Sequence, residues 1–457
     1  MNFERIKAKG LAHNSYIIGS RGTAAVVDPR RDVQVYLNLA EKRGINIRYI
    51  LETHRNEDYV IGSTELSKIT GAEILHGPGM AWGYGSTIRD GQEIRSGRLL
   101  LTAIHTPGHT PESMSYILVD TATGSSPVMV FTGDTLFVNE TGRVDLYGIE
   151  NMPRMASDLY ESIFKKLLPL GDGVIICPAH GAGSVCGLKI GDRDESTLGI
   201  ERIQNPSLQC TGKDDFIKYK ISERPERPPY FSLMEKYNQY GPPLLGHLPA
   251  PAPLSPSEFR LAQERGALVV DTSLPAAFGS AHIKGAYSIW LEGLSAFAGW
   301  VLPYDKPLIL VLEKQADLDQ AIRYLIRVGY DNIKGFLKDG IEGWYSAGLP
   351  VERLPVLSVQ QLKEMLDAGD DLLIVDVRDQ QEWQEGHILG SMHIYVGCVE
   401  EKLGEIPRDK PIVVTCSIGH RSGLAASILQ RAGYQRVFNL LGGITAWRNA
   451  GLVLVAS

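Results

Sequence analysis

At 457 residues the chain is too long for one core, and at roughly 150 residues per domain about three domains are expected. A composition of 44% hydrophobic and 22% charged residues excludes a disordered chain, and the formal net charge of -7 argues against a nucleic-acid partner, whose phosphates need a basic face. No apolar run approaches the roughly 20 residues of a membrane span, so no membrane partner is expected.

The first residues, MNFERIKAKG, lack the apolar segment of a secretory signal. The five cysteines (Cys177, Cys186, Cys210, Cys398 and Cys416) form no C-x-x-C pair. Both features predict free thiols in a reducing compartment, hence a cytoplasmic location.

Over residues 1–245, short apolar runs alternate with helical patterns. SYIIG, TAAVVD, IRYILETH, PVMVFTGD and GVIICPAH read as strands, and DVQVYLNLAEKRG and MASDLYESIFKKLLPL as helices, of a layered α/β domain. Four polar clusters each follow an apolar run: ETHRNEDY (52–59), HTPGHTPES (105–113), FTGDTLF (131–137) and CPAHG (177–181). Histidines and aspartates at strand ends converge on one edge of a folded sheet, which is how an α/β scaffold assembles a metal site. Neighbouring Pro107, Gly108, Gly133 and Pro178 let the backbone turn sharply there. A single histidine so placed is more often hydrogen-bonded structure than ligand.

These clusters, with GLAHNSYIIG and VVDPRRDV near the start, resemble the metallo-β-lactamase fold over about 1–245. The resemblance implies an αββα sandwich. Many members hold two zinc ions with a T-H-x-H-x-D-H signature, against which Asn56 and Tyr59 stand where histidines belong. On that pattern the second site fails, because Tyr59 leaves Asp58 and His180 without their partner. The first keeps His54, His109 and Asp134. Two imidazoles and one carboxylate with open positions are the arrangement of a mononuclear non-haem Fe(II) oxygenase, whereas zinc hydrolysis favours a fuller set. The domain therefore looks like the persulfide dioxygenase (sulfur dioxygenase) branch, with one Fe(II) per chain and zinc as the alternative. Asn56 and Tyr59 become candidates for hydrogen bonding around the ligands. In GRVDL, Arg143 meets either the carboxylate of a thiol cosubstrate or Asp145. Cys177 is expected in the core.

The proline-rich stretch 241–259 reads as an extended linker. Beyond it the sequence repeats at about 100 residues. Asp271 matches Asp376, His282 matches His387, Pro307 matches Pro411, Tyr330 matches Tyr434, and Trp344 matches Trp447. Each copy sets an apolar strand before a helix, which predicts parallel α/β sheets over 246–350 and 351–457. Leu312 falls opposite Cys416, and Asp317 opposite Arg421.

The segment VVTCSIGHRSG (413–423) reads as a strand, a glycine loop and a helix start. Backbone N–H groups and Arg421 at such a turn favour a nucleophilic thiolate at Cys416. DVRDQQEWQEGHILGS, CSIGHRS and LLGGITAW resemble the rhodanese sulfurtransferases. This implies that Cys416 carries a sulfane sulfur as a persulfide, with Arg421 assisting and Gly419, His420 and Ser422 lining the substrate site. The first copy, with Leu312, looks like a pseudo-rhodanese.

The combined expectation is oxidation of a low-molecular-weight persulfide (of glutathione, coenzyme A or a similar thiol) by O2 to sulfite. It is coupled to thiosulfate formation or use through Cys416, in a chain that pairs as a homodimer or higher homo-oligomer. The alternatives are a glyoxalase II-like zinc thioester hydrolase, and a sulfurtransferase whose N-terminal domain is a metal-poor scaffold.

Overall fold

The computed structural model describes residues 1–187, 189–223 and 225–456. The chain divides into two compact units, 1–247 with 326–329, and 248–325 with 330–457.

The first unit holds two six-stranded sheets. One runs Asn2–Ala8, His13–Ser20, Thr23–Val27, Asn46–Leu51, Glu73–His76 and Ser86–Thr87 in spatial order. The other runs Ser196–Thr197, Ile175–Pro178, Met129–Gly133, Met114–Asp120, Leu99–His105 and Glu93–Ser96. Alternation along each strand explains the layering, since successive side chains face opposite sides of a sheet. In Thr23–Val27, Ala25 and Val27 face the second sheet with Tyr16, Leu101, Tyr116 and Phe131. Ala24 and Val26 face outward, to Tyr36 and Ala40 of the helix Gln34–Arg43 and to Leu66 of the helix Ser63–Thr70. On the other outer face, Val130 and Ile176 pack against Met155 and Leu159 of the helix Met152–Glu161 and Phe216 of the helix Lys213–Ser222. The result is the expected αββα sandwich.

In the second unit each sequence repeat forms a five-stranded parallel sheet. The central strands Leu268–Asp271, Leu308–Val311, Leu373–Asp376 and Ile412–Thr415 are short apolar runs, as strands covered on both faces require. The repeated histidines are structural. His282 Nδ1 lies 2.9 Å from the Phe278 carbonyl and its ring stacks on Phe278; His387 Nδ1 lies 2.9 Å from the Trp383 carbonyl and its ring stacks on Trp383.

The linker reading of 241–259 needs correction at its end. Ala252–Leu254 is an edge strand and Pro256–Glu264 a helix. Pro253 is tolerated because an edge strand leaves one row of N–H groups unused. Ser255 and Glu258 form a capping box that starts the helix.

Among the described residues, no helix is long and apolar enough to cross a membrane.

Candidate metal centre and cysteine loop

Strand ends bring the polar clusters together. His54 follows the strand Asn46–Leu51, His109 follows Leu99–His105, Asp134 follows Met129–Gly133, and His180 follows Ile175–Pro178. Gly133 takes a positive φ of 53°, and a Cβ there would lie 2.6 Å from the Thr53 side chain, so the turn that presents Asp134 needs glycine.

His54 Nε2 and His109 Nε2 lie 3.7 and 3.6 Å from Asp134 Oδ2. Glu57, which the sequence reading passed over, joins them, with Oε1 3.0 Å from His109 Nε2. One donor atom from each of His54, Glu57, His109 and Asp134 fits within 4.8 Å of the others, and all four residues are buried. The sign of Glu57 in the sequence was its place three residues after His54, inside the same loop. Asn56 puts it there. Asn56 adopts a left-handed φ of 43°, which asparagine tolerates better than most residues, and its side-chain amide donates to the His54 carbonyl at 3.0 Å. Tyr59 packs its ring 4.1 Å from that of His13.

The outer ring nitrogens are fixed. The Thr53 hydroxyl donates to Asp28 Oδ2 at 2.7 Å, so its oxygen is left to accept from His54 Nδ1 at 2.9 Å. His109 Nδ1 donates to the Arg143 carbonyl at 2.9 Å. Both Nε2 atoms therefore turn inward; His109 Nε2 meets only Glu57 Oε1, and His54 Nε2 and Glu57 Oε2 have no hydrogen-bond partner. Burying such groups unpaired costs several kcal/mol each, on the order of 2–7 for a neutral polar group. In the metal-free cluster protons serve as the missing positive charge. Burial alone would lower the His109 imidazole, but Glu57 and Asp134 carry it up to about 9. His54 is held by burial down at about 4. Against its burial, Glu57 is kept far below the usual carboxylate range by His109 and His54. The donor set is one that a divalent cation would complete.

Beside it lies a second group, Asp58, His180 and Cys186, also buried. The expectation that Asp58 and His180 stand without a third partner is thus corrected: a cysteine from the loop after His180 meets them.

Arg143 is not free to bind a cosubstrate. Its guanidinium donates to both Asp145 oxygens at 2.7 and 2.6 Å and to the carbonyls of Val185, Glu226 and Pro225. Only the internal ion-pair reading survives. Cys177 packs in the inter-sheet core, and burial pushes its thiol up to about 12.

In the second unit, Cys416 follows the strand Ile412–Thr415, and the helix His420–Arg431 starts four residues later. Its Sγ accepts from the Gly419 N–H at 3.1 Å and lies 3.4 Å from the Ser422 hydroxyl. Gly419 has a φ of 105°, which only glycine adopts without strain and which aims its N–H at the sulfur. Arg421 is held at the loop by a bidentate pair with Glu382 at 2.6 and 2.7 Å and by the Ser417 hydroxyl at 2.8 Å. The His420 ring lies 4.9 Å from Trp290 of the first repeat. Leu312, at the position matching Cys416, is buried.

Comparison with known proteins agrees with both halves. The metallo-beta-lactamase superfamily matches residues 8–180, and the rhodanese-like domain matches 255–347 and 358–450. The mitochondrial persulfide dioxygenase of Bos taurus is 31% identical over 216 residues, 45% of this chain and 74% of that protein. A sulfurtransferase of Allochromatium vinosum is 37% identical over 97 residues, 21% of this chain and 91% of that protein. A solved metallo-beta-lactamase structure from Staphylococcus aureus superposes with a TM-score of 0.66 at 30% identity, covering 74% of this chain and 98% of that one.

Proposed function

Because this chain belongs to the metallo-β-lactamase superfamily, and joins a homologue of the persulfide dioxygenases to two rhodanese-like domains, we propose that it oxidises a low-molecular-weight persulfide and moves sulfane sulfur through Cys416. The overall oxidation is R–S–SH + O2 + H2O → R–SH + SO3²⁻ + 2 H⁺. Both atoms of dioxygen go to the outer sulfur, and water supplies the third oxygen. The observation that carries this reading is the convergence of His54, His109, Asp134 and Glu57, with one buried donor atom of each within 4.8 Å of the others.

Those four residues would hold a single ferrous ion; the imidazole–carboxylate set fits iron, and zinc is the alternative. When bound, iron supplies one coordination sphere in which persulfide and dioxygen react. The chain does the rest. Thr53 and the Arg143 carbonyl fix the tautomers of His54 and His109, so both present Nε2. His180 Nδ1, 2.8 Å from Asp134 Oδ1, orients that carboxylate. Burial of all four ligands keeps bulk water away from the reacting sulfur.

At the second centre the Cys416 thiolate attacks the outer sulfur of thiosulfate. The S–S bond breaks, the cysteine becomes a persulfide, and sulfite leaves with the bonding pair. Run backwards, sulfite collects the sulfur. The Gly419 N–H donates to the sulfur that carries the charge, the Ser422 hydroxyl lies 3.4 Å from it, and Glu382 fixes Arg421 at the mouth of the loop, where an anion approaches. We place the chain among sulfide- and persulfide-detoxifying enzymes, with glutathione, coenzyme A or a similar thiol as the carrier.

A two-cation thioester hydrolase is the second reading, and the Asp58–His180–Cys186 group favours it. One experiment separates them. Protein reconstituted with Fe(II) without oxygen, then given air and a panel of persulfides, is expected to consume O2 only when a persulfide is present. Thioester cleavage at an unchanged rate in the absence of O2, with no persulfide-dependent uptake, would replace the first reading by the second.

A further inference from the structure

We propose that Glu382 sets the donor preference of the Cys416 loop, turning it away from the thiosulfate dianion and towards an organic persulfide, R–S–SH. The proposal rests on the reading of Cys416 as a sulfur carrier and narrows the class of molecule that loads it.

Arg421 is the cation of the loop, and its charge is already matched. Its two terminal nitrogens donate to Glu382 Oε2 at 2.6 Å and to Glu382 Oε1 at 2.7 Å. The Ser417 hydroxyl closes the triangle, accepting from Arg421 at 2.8 Å and donating to Glu382 Oε1 at 2.6 Å. A sulfonate takes up the same fork of N–H groups as a carboxylate does, so Glu382 occupies the place that thiosulfate needs. The carboxylate is also anchored. Glu382 is the third residue of the helix Gln380–Glu385, where its N–H donates to Asp379 Oδ1 at 2.8 Å and its side chain accepts from the Asp379 N–H at 3.2 Å.

The surroundings resist further negative charge. Burial would raise the Glu382 carboxyl, yet Arg421 keeps it far below the usual carboxylate range. Burial, with Glu382 alongside, carries the Asp379 carboxyl up to about 6. His420 does not restore the balance, because burial lowers its imidazole and leaves it neutral at pH 7.

Attack of the Cys416 thiolate on thiosulfate gathers three negative charges in this loop, whereas attack on R–S–SH gathers one. In the second case the S–S bond breaks and R–S⁻ leaves with the bonding pair. The outer sulfur becomes bonded to Cys416 and keeps its proton, and no oxidant is needed. The same transition state serves the return step, so an organic thiolate is favoured over sulfite as the acceptor.

The wall beside the loop suits the organic group. Ile418 is exposed, and Trp290 of the first repeat sets its ring 4.9 Å from that of His420 and 5.2 Å from that of Phe297. The repeat that lacks the cysteine thus offers the alkyl part of R an apolar surface that thiosulfate cannot use.

Rapid mixing of the full chain with each donor, read by intact mass as the gain of one sulfur atom, tests this. The donors are thiosulfate and N-acetylcysteamine persulfide, whose tail is uncharged, and Cys416→Ser gives the background from the other thiols. The parent should take sulfur from the persulfide at least about tenfold faster. Glu382→Gln should raise the thiosulfate rate and shrink the preference about tenfold, and Glu382→Asp, which keeps the charge, should preserve it. A structural role alone would slow both donors together. Trp290→Ala should slow the persulfide about threefold to tenfold more than it slows thiosulfate. A parent that prefers thiosulfate, or a folded Glu382→Gln that slows both donors alike, overturns the proposal while leaving Cys416 as the carrier. If neither donor loads Cys416, the sulfur-carrier reading falls and the proposal with it.

Discussion

Around Cys416 the polar groups close on one another. Gly419 and Ser422 reach the sulfur, Arg421 is paired with Glu382 and Ser417, and Asn439 Oδ1 accepts from Ser422. Around Asp134 they do not. His54 Nε2 and Glu57 Oε2 are buried without a hydrogen-bond partner, and His109 and His180 meet Glu57 and Asp58 at 3.0 Å only as ion pairs that need a proton on each ring. Protein atoms complete the first site, so it needs only its substrate. The second gathers carboxylates and imidazoles whose charge and lone pairs protein atoms leave partly unmatched, so its donor set fits a cation. Sites of these two kinds should respond differently to mutation and to chelation.

The largest effect is expected from Cys416→Ser. Thiosulfate:cyanide sulfur transfer should fall by about 10³-fold or more, because an alcohol at neutral pH replaces a thiol nucleophile. Oxygen uptake with a persulfide should be unchanged. If both activities vanish in a folded variant, the two centres are not independent. His109→Ala should do the opposite, weakening iron binding by at least about 100-fold and abolishing uptake while sulfur transfer persists; metal analysis and both assays check it. Glu57→Gln is milder. It keeps the shape and removes one charge, and iron affinity should drop by about tenfold to 100-fold. Unaltered affinity would remove Glu57 from the ligand set.

The smallest effect concerns the two repeats and touches neither reaction. Asp376 is paired with Arg378 at 2.7 Å, whereas the matching Asp271 accepts from the Ser273 N–H at 3.0 Å, and burial raises it to about 6. An aspartate with a folded pKa above its unfolded value near 3.9 stabilises the fold below that value and loses the contribution as pH rises through about 6. Asp271→Asn should therefore match the parent near pH 4 and exceed it by up to about 3 kcal/mol at pH 8, measured by denaturant unfolding. Equal stability at both pH values would mean that Asp271 is not held in a dry site.

Much of this was legible in the chain. His54, His109 and Asp134 each follow an apolar run by a few residues, and their order along one α/β domain predicts that they converge, while Cys416 follows its own strand in the second repeat. Glu57 was hidden because its direction depends on the left-handed turn at Asn56, a residue that reads from sequence only as a missing histidine. Cys186 lies in the irregular loop after His180, where no periodicity says which way a side chain faces. Arg143 had two partners within reach of the imagination, and proximity in sequence won: Asp145 is two residues away and completes a bidentate pair. The linker reading of 241–259 failed from 252 onward because proline density concealed an edge strand and the start of a well-capped helix.

The central claim is that a single cation completes the inward-facing nitrogens of His54 and His109. Anomalous diffraction at the iron edge from anaerobically iron-loaded crystals measures this most directly. The account predicts an iron peak within bonding distance of both Nε2 atoms and the Asp134 carboxylate. Iron found elsewhere, with those nitrogens unligated, would contradict it.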